Sequence, residues 1–176
     1  MKSVLRHPLV RKAASFAKEK HKHQKRLTGE PYFVHPKSVA ASVAKWTSDP
    51  NVVAAAYLHD VIEDTGCDYE DLETRFGRKV ADYVSMLSRD FRRPKKLSLI
   101  EFRKTLRKAP PEVKLIEAAD IEHNLRSKAS PDFMRRYVEK TRATLPYLKD
   151  GRPRKYQEGI NWFIEKIEFH IKSFKR

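Results

Sequence analysis

No stretch of this 176-residue chain alternates apolar and polar residues with period two for long enough to make a strand, whereas apolar residues recur at helical spacing along most of its length. That pattern restricts the chain to helices packed on helices. Leu9, Val10, Ala13, Ala14 and Ala17 share one helical face. Pro36 sits where the first turn of a new helix would lie, ahead of Val39, Ala40, Val43 and Ala44. Asp49-Pro50 reads as the N-cap and first-turn proline of a helix running through Asp64. Asp68 caps the next helix, Gly77 follows its end, and Val80, Tyr83, Val84 and Leu87 continue on another. Ser98 with Glu101 matches a capping box, and Ser130-Pro131 is a second cap-plus-proline start. The stripe Tyr156, Ile160, Phe163, Ile164, Ile167, Ile171 and Phe174 predicts a final helix longer than the others. A short hairpin or irregular loop is expected near Thr28 to Val34, and a charged loop over Arg89 to Lys96. The expectation is an all-α fold, with residues 1–176 forming one compact multi-helix domain.

The longest apolar run, Val52 to Leu58, is far too short to span a bilayer, so no membrane association is expected. Arg6, Arg11, Lys12 and Lys18 interrupt the N-terminal apolar pieces, which argues against a signal peptide. Cys67 is the single cysteine and has no partner, which points to a reducing compartment, the cytoplasm. The net charge of +15 is unevenly spread: residues 1–26 carry +8, residues 27–87 carry −5 and residues 88–176 carry +12. An acidic middle inside a basic shell suits a cation site that faces a polyanionic ligand. A basic surface serving only solubility would give the same totals.

The chemistry concentrates at His59-Asp60-Val61-Ile62-Glu63-Asp64. Glu63 lies four residues after His59, and Asp64 four after Asp60, so the set can crowd one helix end. Three carboxylates so close repel one another unless a cation or a proton sits among them. His35 lies upstream beside Pro36, and Asp120 lies downstream in Ala118-Ala119-Asp120. The order His, His-Asp, Asp supplies two imidazoles and two carboxylates, a mixed set suited to Mn²⁺, Fe²⁺ or Zn²⁺ with positions left open for water.

In these segments the chain resembles the HD-domain hydrolases of the RelA/SpoT type, and in size the stand-alone small alarmone hydrolases. The resemblance runs from about His23 to Ser127. It is carried by His23-Gln24-Lys25-Arg26, by Gly29-Glu30-Pro31-Tyr32-Phe33-Val34-His35-Pro36, and by Ala55 through Thr65. Phe76-Gly77-Arg78-Lys79-Val80, Ala119-Asp120 and Asn124-Leu125-Arg126 complete it. The resemblance implies an HD fold that removes the 3′-pyrophosphate from guanosine alarmones (ppGpp, pppGpp). It implies one Mn²⁺ on His35, His59, Asp60 and Asp120, with Glu63 and Asp64 as the catalytic acidic pair. Lys25 is a candidate phosphate contact, Arg26 matches the basic residue beside the base, and Asn124 and Ser127 match positions that hold the nucleotide. Phosphate contacts are expected from Lys25, from Arg89 to Lys96, or from Arg103 and Lys104, and the sequence does not choose among them.

Departures from the family pattern fall around the substrate. Leu27 stands where a Lys is usual, and Glu117-Ala118-Ala119-Asp120-Ile121 replaces a pattern with a Lys at its start and a cation after the Asp. Hydrolysis of another phosphorylated nucleotide, including adenosine alarmones, is therefore the nearest alternative. Nucleic-acid binding on an HD fold is a rival from a different class. It rests on the +15 charge alone, without a recognisable nucleic-acid module, and leaves the acidic pair and the ligand set without a use.

Overall fold

The computed structural model describes residues 4–89, 94–149 and 155–174, except the side chain of Lys95. A 3₁₀ turn, Val4–Arg6, leads into α1 (Pro8–Lys20), α2 (Val34–Val43), α3 (Pro50–Leu58), α4 (Val61–Asp64) and α5 (Tyr69–Phe76). The chain continues through α6 (Arg78–Leu87), α7 (Lys95–Lys108), α8 (Pro111–Leu125), α9 (Pro131–Lys149) and α10 (Gln157–Ser173). Among the described residues the sole β pairing is an isolated antiparallel bridge between Lys25 and Pro31.

Helices α3 and α8 lie at the centre. Helix α3 packs on α1, α2 and α6, and α8 packs on α2 and α10. Every residue from Val52 to Leu58 is buried, as a helix apolar on all sides requires. Buried side chains from Val4 to Ile171 form one continuous core. Asp49 caps α3, accepting from the Asn51 main-chain N–H at 2.9 Å, and Asp68 caps α5 through the Asp71 N–H at 2.8 Å. Gly77 joins α5 to α6 at φ 84°, a left-handed backbone that favours glycine.

Four expectations are corrected. The helix that begins at Asp49-Pro50 does not run to Asp64. It ends at Leu58, His59 and Asp60 form a turn, and α4 restarts at Val61. Neighbouring side chains on a continuous helix diverge by about 100°; the turn, with Asp60 at φ −95° and ψ −4°, lets both side chains reach one point. The proposed capping box is not a helix start. Pro94 precedes α7, whose first turn contains Lys95 and Lys96, so Ser98 lies inside the helix. Its hydroxyl is buried with no partner among the described residues. The expected loop Arg89 to Lys96 thus ends earlier, and its residues 90–93 lie outside the described set. Finally, α9 with 19 residues exceeds α10 with 17, and Tyr156 and Phe174 fall at the two caps of α10 rather than inside it.

Helix α8 was not marked by periodicity, since it is buried on nearly every side. Glu112, Lys114, Glu117 and Glu122 are buried along with its apolar residues. Where a short hairpin or irregular loop is expected near Thr28 to Val34, the chain forms a tight hairpin lying slightly earlier, between Gln24 and Tyr32. Arg26 N–H donates to Glu30 O at 2.8 Å, Tyr32 N–H to Gln24 O at 3.0 Å, and Gly29 turns the chain at φ 88°.

Candidate metal centre and adjoining cavity

Four side chains from α2, the α3–α4 turn and α8 converge. His35 Nε2 lies 2.8 Å from Asp120 Oδ1 and 3.5 Å from Asp60 Oδ2. His59 Nε2 lies 3.1 Å from Asp60 Oδ2 and 3.5 Å from Asp120 Oδ1, and the two Nε2 atoms are 3.2 Å apart. Donor atoms of His35, His59 and Asp120 all fall within 4.8 Å of one another, a group able to hold a metal ion. His59 Nδ1 is 2.9 Å from the Ala56 carbonyl, so its N–H donates there and the Nε2 lone pair is left for the centre. His35 Nδ1 is set in the same way by His123 Nδ1 at 2.9 Å.

The electrostatics are those of a site built around positive charge. Burial opposes ionisation of Asp60 and Asp120, but the two imidazoles outweigh it and hold both carboxyls below the usual carboxylate range. Burial likewise opposes charge on His35 and His59, and the two carboxylates raise both. Protons on the imidazoles thus supply countercharge that a divalent cation would supply in their place.

A polar cavity of about 350 Å³ opens over this cluster. The hairpin contributes Lys25, Arg26, Leu27 and Tyr32; the α3–α4 turn and α4 contribute His59, Asp60, Glu63 and Asp64. Glu117, Asp120 and Asn124 recur at intervals of three and four on α8 and so face it together, with Ser127 just beyond. Leu87, Arg89 and Phe102 form one wall, and Phe133, Tyr137 and Lys140 of α9 another. Of the ten candidate residues, nine line this cavity, and His35 lies buried behind it.

Asn124 bridges the cluster to the hairpin: its Nδ2 donates to Asp120 Oδ1 at 2.7 Å, and its Oδ1 accepts from Arg26 Nη2 at 2.7 Å. Glu63 is engaged by Arg89, accepting from the main-chain N–H at 2.9 Å and from the guanidinium. Lys25 and Arg89 border the cavity. Arg103 instead turns to α9, donating to Thr144 Oγ1 and the Lys140 carbonyl, each at 3.2 Å, while Lys96 and Lys104 are exposed away from the cavity lining.

Sequence reasoning assigned no role to five residues here. Tyr32 places its hydroxyl 2.7 Å from Asp60 Oδ2 and 2.8 Å from Asp64 Oδ2, and its one proton serves one carboxylate at a time. Burial and the Asp60 charge raise the Asp64 carboxyl. His123 lies three residues after Asp120, a signal available only once α8 is known to be a helix. Glu117, 8% exposed, has its carboxyl pushed up to about 8 by burial and then by Asp120. Lys140 is lowered by burial and by Arg89, and Tyr137 borders the same wall. The last two lie on a helix far along the chain and carry no motif.

An all-helical core that gathers two imidazoles and two carboxylates beneath a polar cavity defines the HD class of domain. The chain belongs to the HD domain family, whose profile matches residues 13–144. It is 39% identical over 140 residues to the bifunctional (p)ppGpp synthase/hydrolase SpoT of Escherichia coli K12, a match covering 75% of this chain and 20% of that protein. It is 49% identical over 75 residues to a guanosine-3′,5′-bis(diphosphate) 3′-pyrophosphohydrolase of Aquifex aeolicus, covering 43% and 11% of the two. The match thus spans at most about a fifth of these curated relatives. Among solved structures, a metazoan ortholog of SpoT described as hydrolysing ppGpp aligns with a TM-score of 0.76 and 25% identity, over 91% of this chain and 96% of that one. A Listeria monocytogenes EGD-e crystal structure shares the fold, with a TM-score of 0.63 and 24% identity over 82% of this chain and 98% of that one. No helix among the described residues is long and apolar enough to cross a membrane.

Proposed function

We propose that this chain is a cytoplasmic, Mn²⁺-dependent 3′-pyrophosphohydrolase of purine nucleotide alarmones, (p)ppGpp or the adenosine equivalents, with residues 1–176 acting as one domain. The observation that carries the reading is the convergence of His35, His59, Asp60 and Asp120 beneath a cavity that also holds Glu63, Asp64, Lys25, Arg26, Asn124 and Ser127. The names of the relatives and of the metazoan structural neighbour support the substrate class. The buried free thiol of Cys67 is in keeping with a reducing compartment.

The donor set fits a borderline divalent ion, because mixed imidazole and carboxylate ligation suits Mn²⁺. When bound at the four ligands, such an ion lowers the pKa of water and neutralises charge on the phosphoryl group. In the proposed reaction a water oxygen bonds to the 3′-phosphorus and the bond from that phosphorus to O3′ breaks. Pyrophosphate leaves, and a proton goes to the 3′-oxygen. Asp64 or Glu63 takes the proton of the attacking water. Arg26 and Asn124, already joined at 2.7 Å, hold the base or ribose, with Ser127 beside them and Lys25 placed to meet a phosphate.

A nucleotide panel assayed with Mn²⁺ and scored for pyrophosphate tests this. Asp60→Ala is expected to abolish metal content and turnover. Whichever of Asp64→Asn and Glu63→Gln removes the proton acceptor keeps the metal and the fold but loses about a hundred- to ten-thousand-fold in rate. Metal content in Asp60→Ala equal to the parent would remove Asp60 from the ligand set. Release of orthophosphate, or of nothing, across the panel would overturn the reading.

A further inference from the structure

Asp64 is gripped at two points by the segment that follows α1. Gln24 Nε2 donates to the Asp64 main-chain carbonyl at 2.6 Å, and the Tyr32 hydroxyl meets the Asp64 carboxyl at 2.8 Å. These two contacts are themselves tied together by His21, which is 1% exposed. Its Nδ1 lies 2.7 Å from Gln24 Oε1, and its ring stacks on Tyr32 with centroids 4.7 Å apart and planes at 26°. A main-chain hydrogen bond from Tyr32 N–H to Gln24 O, 3.0 Å, closes the unit.

The support is needed where it falls. Asp64 ends a helix of only four residues, and the chain leaves it at Thr65 in an extended conformation. One turn of helix fixes little on its own. The two members of the acidic pair are also held differently. Glu63 is occupied by the main-chain N–H and guanidinium of Arg89. Asp64 has a hydrogen bond at Oδ2, from Tyr32, and none at Oδ1 among the described residues, and its side chain borders the cavity.

We propose that Tyr32 is a positioning residue for the reaction: with His21 and Gln24 it forms a brace that holds the Asp64 carboxyl where its free oxygen takes the proton of the attacking water. The inference rests on the hydrolase reading above and assigns the proton-accepting role within the acidic pair to Asp64. Tyr32 also touches Asp60 at 2.7 Å, so support of that metal ligand alone is the competing explanation, and the test separates the two.

Tyr32→Phe removes the hydroxyl and keeps the ring on His21. At saturating Mn²⁺, kcat for pyrophosphate release is expected to fall about tenfold or more while KM stays within about threefold, because a misplaced proton acceptor slows the step without weakening substrate binding. In the metal-free protein, hydrogen exchange of the amides from Val61 to Thr65 is expected to quicken about tenfold, since the brace ties that turn down. Gln24→Ala is expected to produce the same exchange change. Full recovery of kcat with excess Mn²⁺ would mean that Tyr32 serves Asp60 alone and would overturn the proposal, as would unchanged kcat. If the parent releases no pyrophosphate, the hydrolase reading fails, and the exchange measurement still decides the brace: unchanged protection in both variants defeats it.

Discussion

His35 Nδ1 lies 2.9 Å from His123 Nδ1, and this contact decides which nitrogen of His35 faces the carboxylates. His35 Nε2 is the atom that meets Asp120, so the ring carries a proton on Nδ1 and donates it to His123. His123 can accept because it is neutral: burial, then the charges of His35 and Arg26, press its pKa down to about 4.

His123→Ala leaves all four presumed ligands in place and removes only the acceptor behind one of them. Partners of this kind are worth about 10- to 100-fold in metal affinity. Calorimetric titration with Mn²⁺ is expected to show a loss of that size, with helical content unchanged by circular dichroism. An unaltered Kd would show that His35 orients itself.

Glu117 gives stability a pH dependence with a definite sign. Its carboxyl is raised from 4.5 to about 8, so the folded state holds the proton over a range where the unfolded chain has released it. Stability contributed at this position is therefore greatest below about 4.5 and declines until pH passes about 8. Glu117→Gln has no such proton to lose. In metal-free protein, Tm of Glu117→Gln relative to the parent is expected to rise steadily between those two pH values. A constant difference would exclude the shift.

Leu27 bears on which base is accepted. It borders the cavity with 72% of its surface exposed and brings no polar group to it, while Arg26 is turned to Asn124 and the Tyr32 ring. A planar guanidinium stacks on either purine. A weak preference for guanine is the expected outcome, with adenosine 3′-pyrophosphates as real substrates. The ratio of kcat/KM for ppGpp and its adenosine counterpart measures this; a guanosine preference above roughly a thousand-fold, the scale of a strict hydrogen-bonded site, would contradict it.

Gly159 of α10 lies close against Trp46 and Leu115. A Cβ there would lie 2.7 Å from Cγ and 2.8 Å from Cδ2 of Trp46, and 3.1 Å from Leu115 Cδ1. Gly159→Ala is expected to destabilise by about 1–3 kcal/mol in denaturant unfolding, because Cγ and Cδ2 lie at the root of the indole and the added methyl forces Trp46 to shift. A stabilised variant would show that Trp46 moves freely.

Much of this molecule could be read from local signals. Asp49-Pro50, Asp68, Gly77 and Ser130-Pro131 each mark a helix boundary, because capping and left-handed backbone depend on a few adjacent residues. The metal-capable residues were recognisable through their types and order, and the all-helical class through the absence of period-two alternation. Tertiary structure alone decided the rest. Helix α8 carries no amphipathic stripe because it is buried nearly all round, so its helical register, and with it the placement of Glu117, His123 and Asn124 around Asp120, was invisible in the sequence. The break at His59-Asp60 was equally hidden: propensity favours a continuous helix there, and the convergence of two imidazoles and two carboxylates is a relation among α2, the turn and α8. The contact of Tyr32 with Asp64 and the place of Lys140 in the cavity wall join segments distant along the chain, which no local pattern encodes.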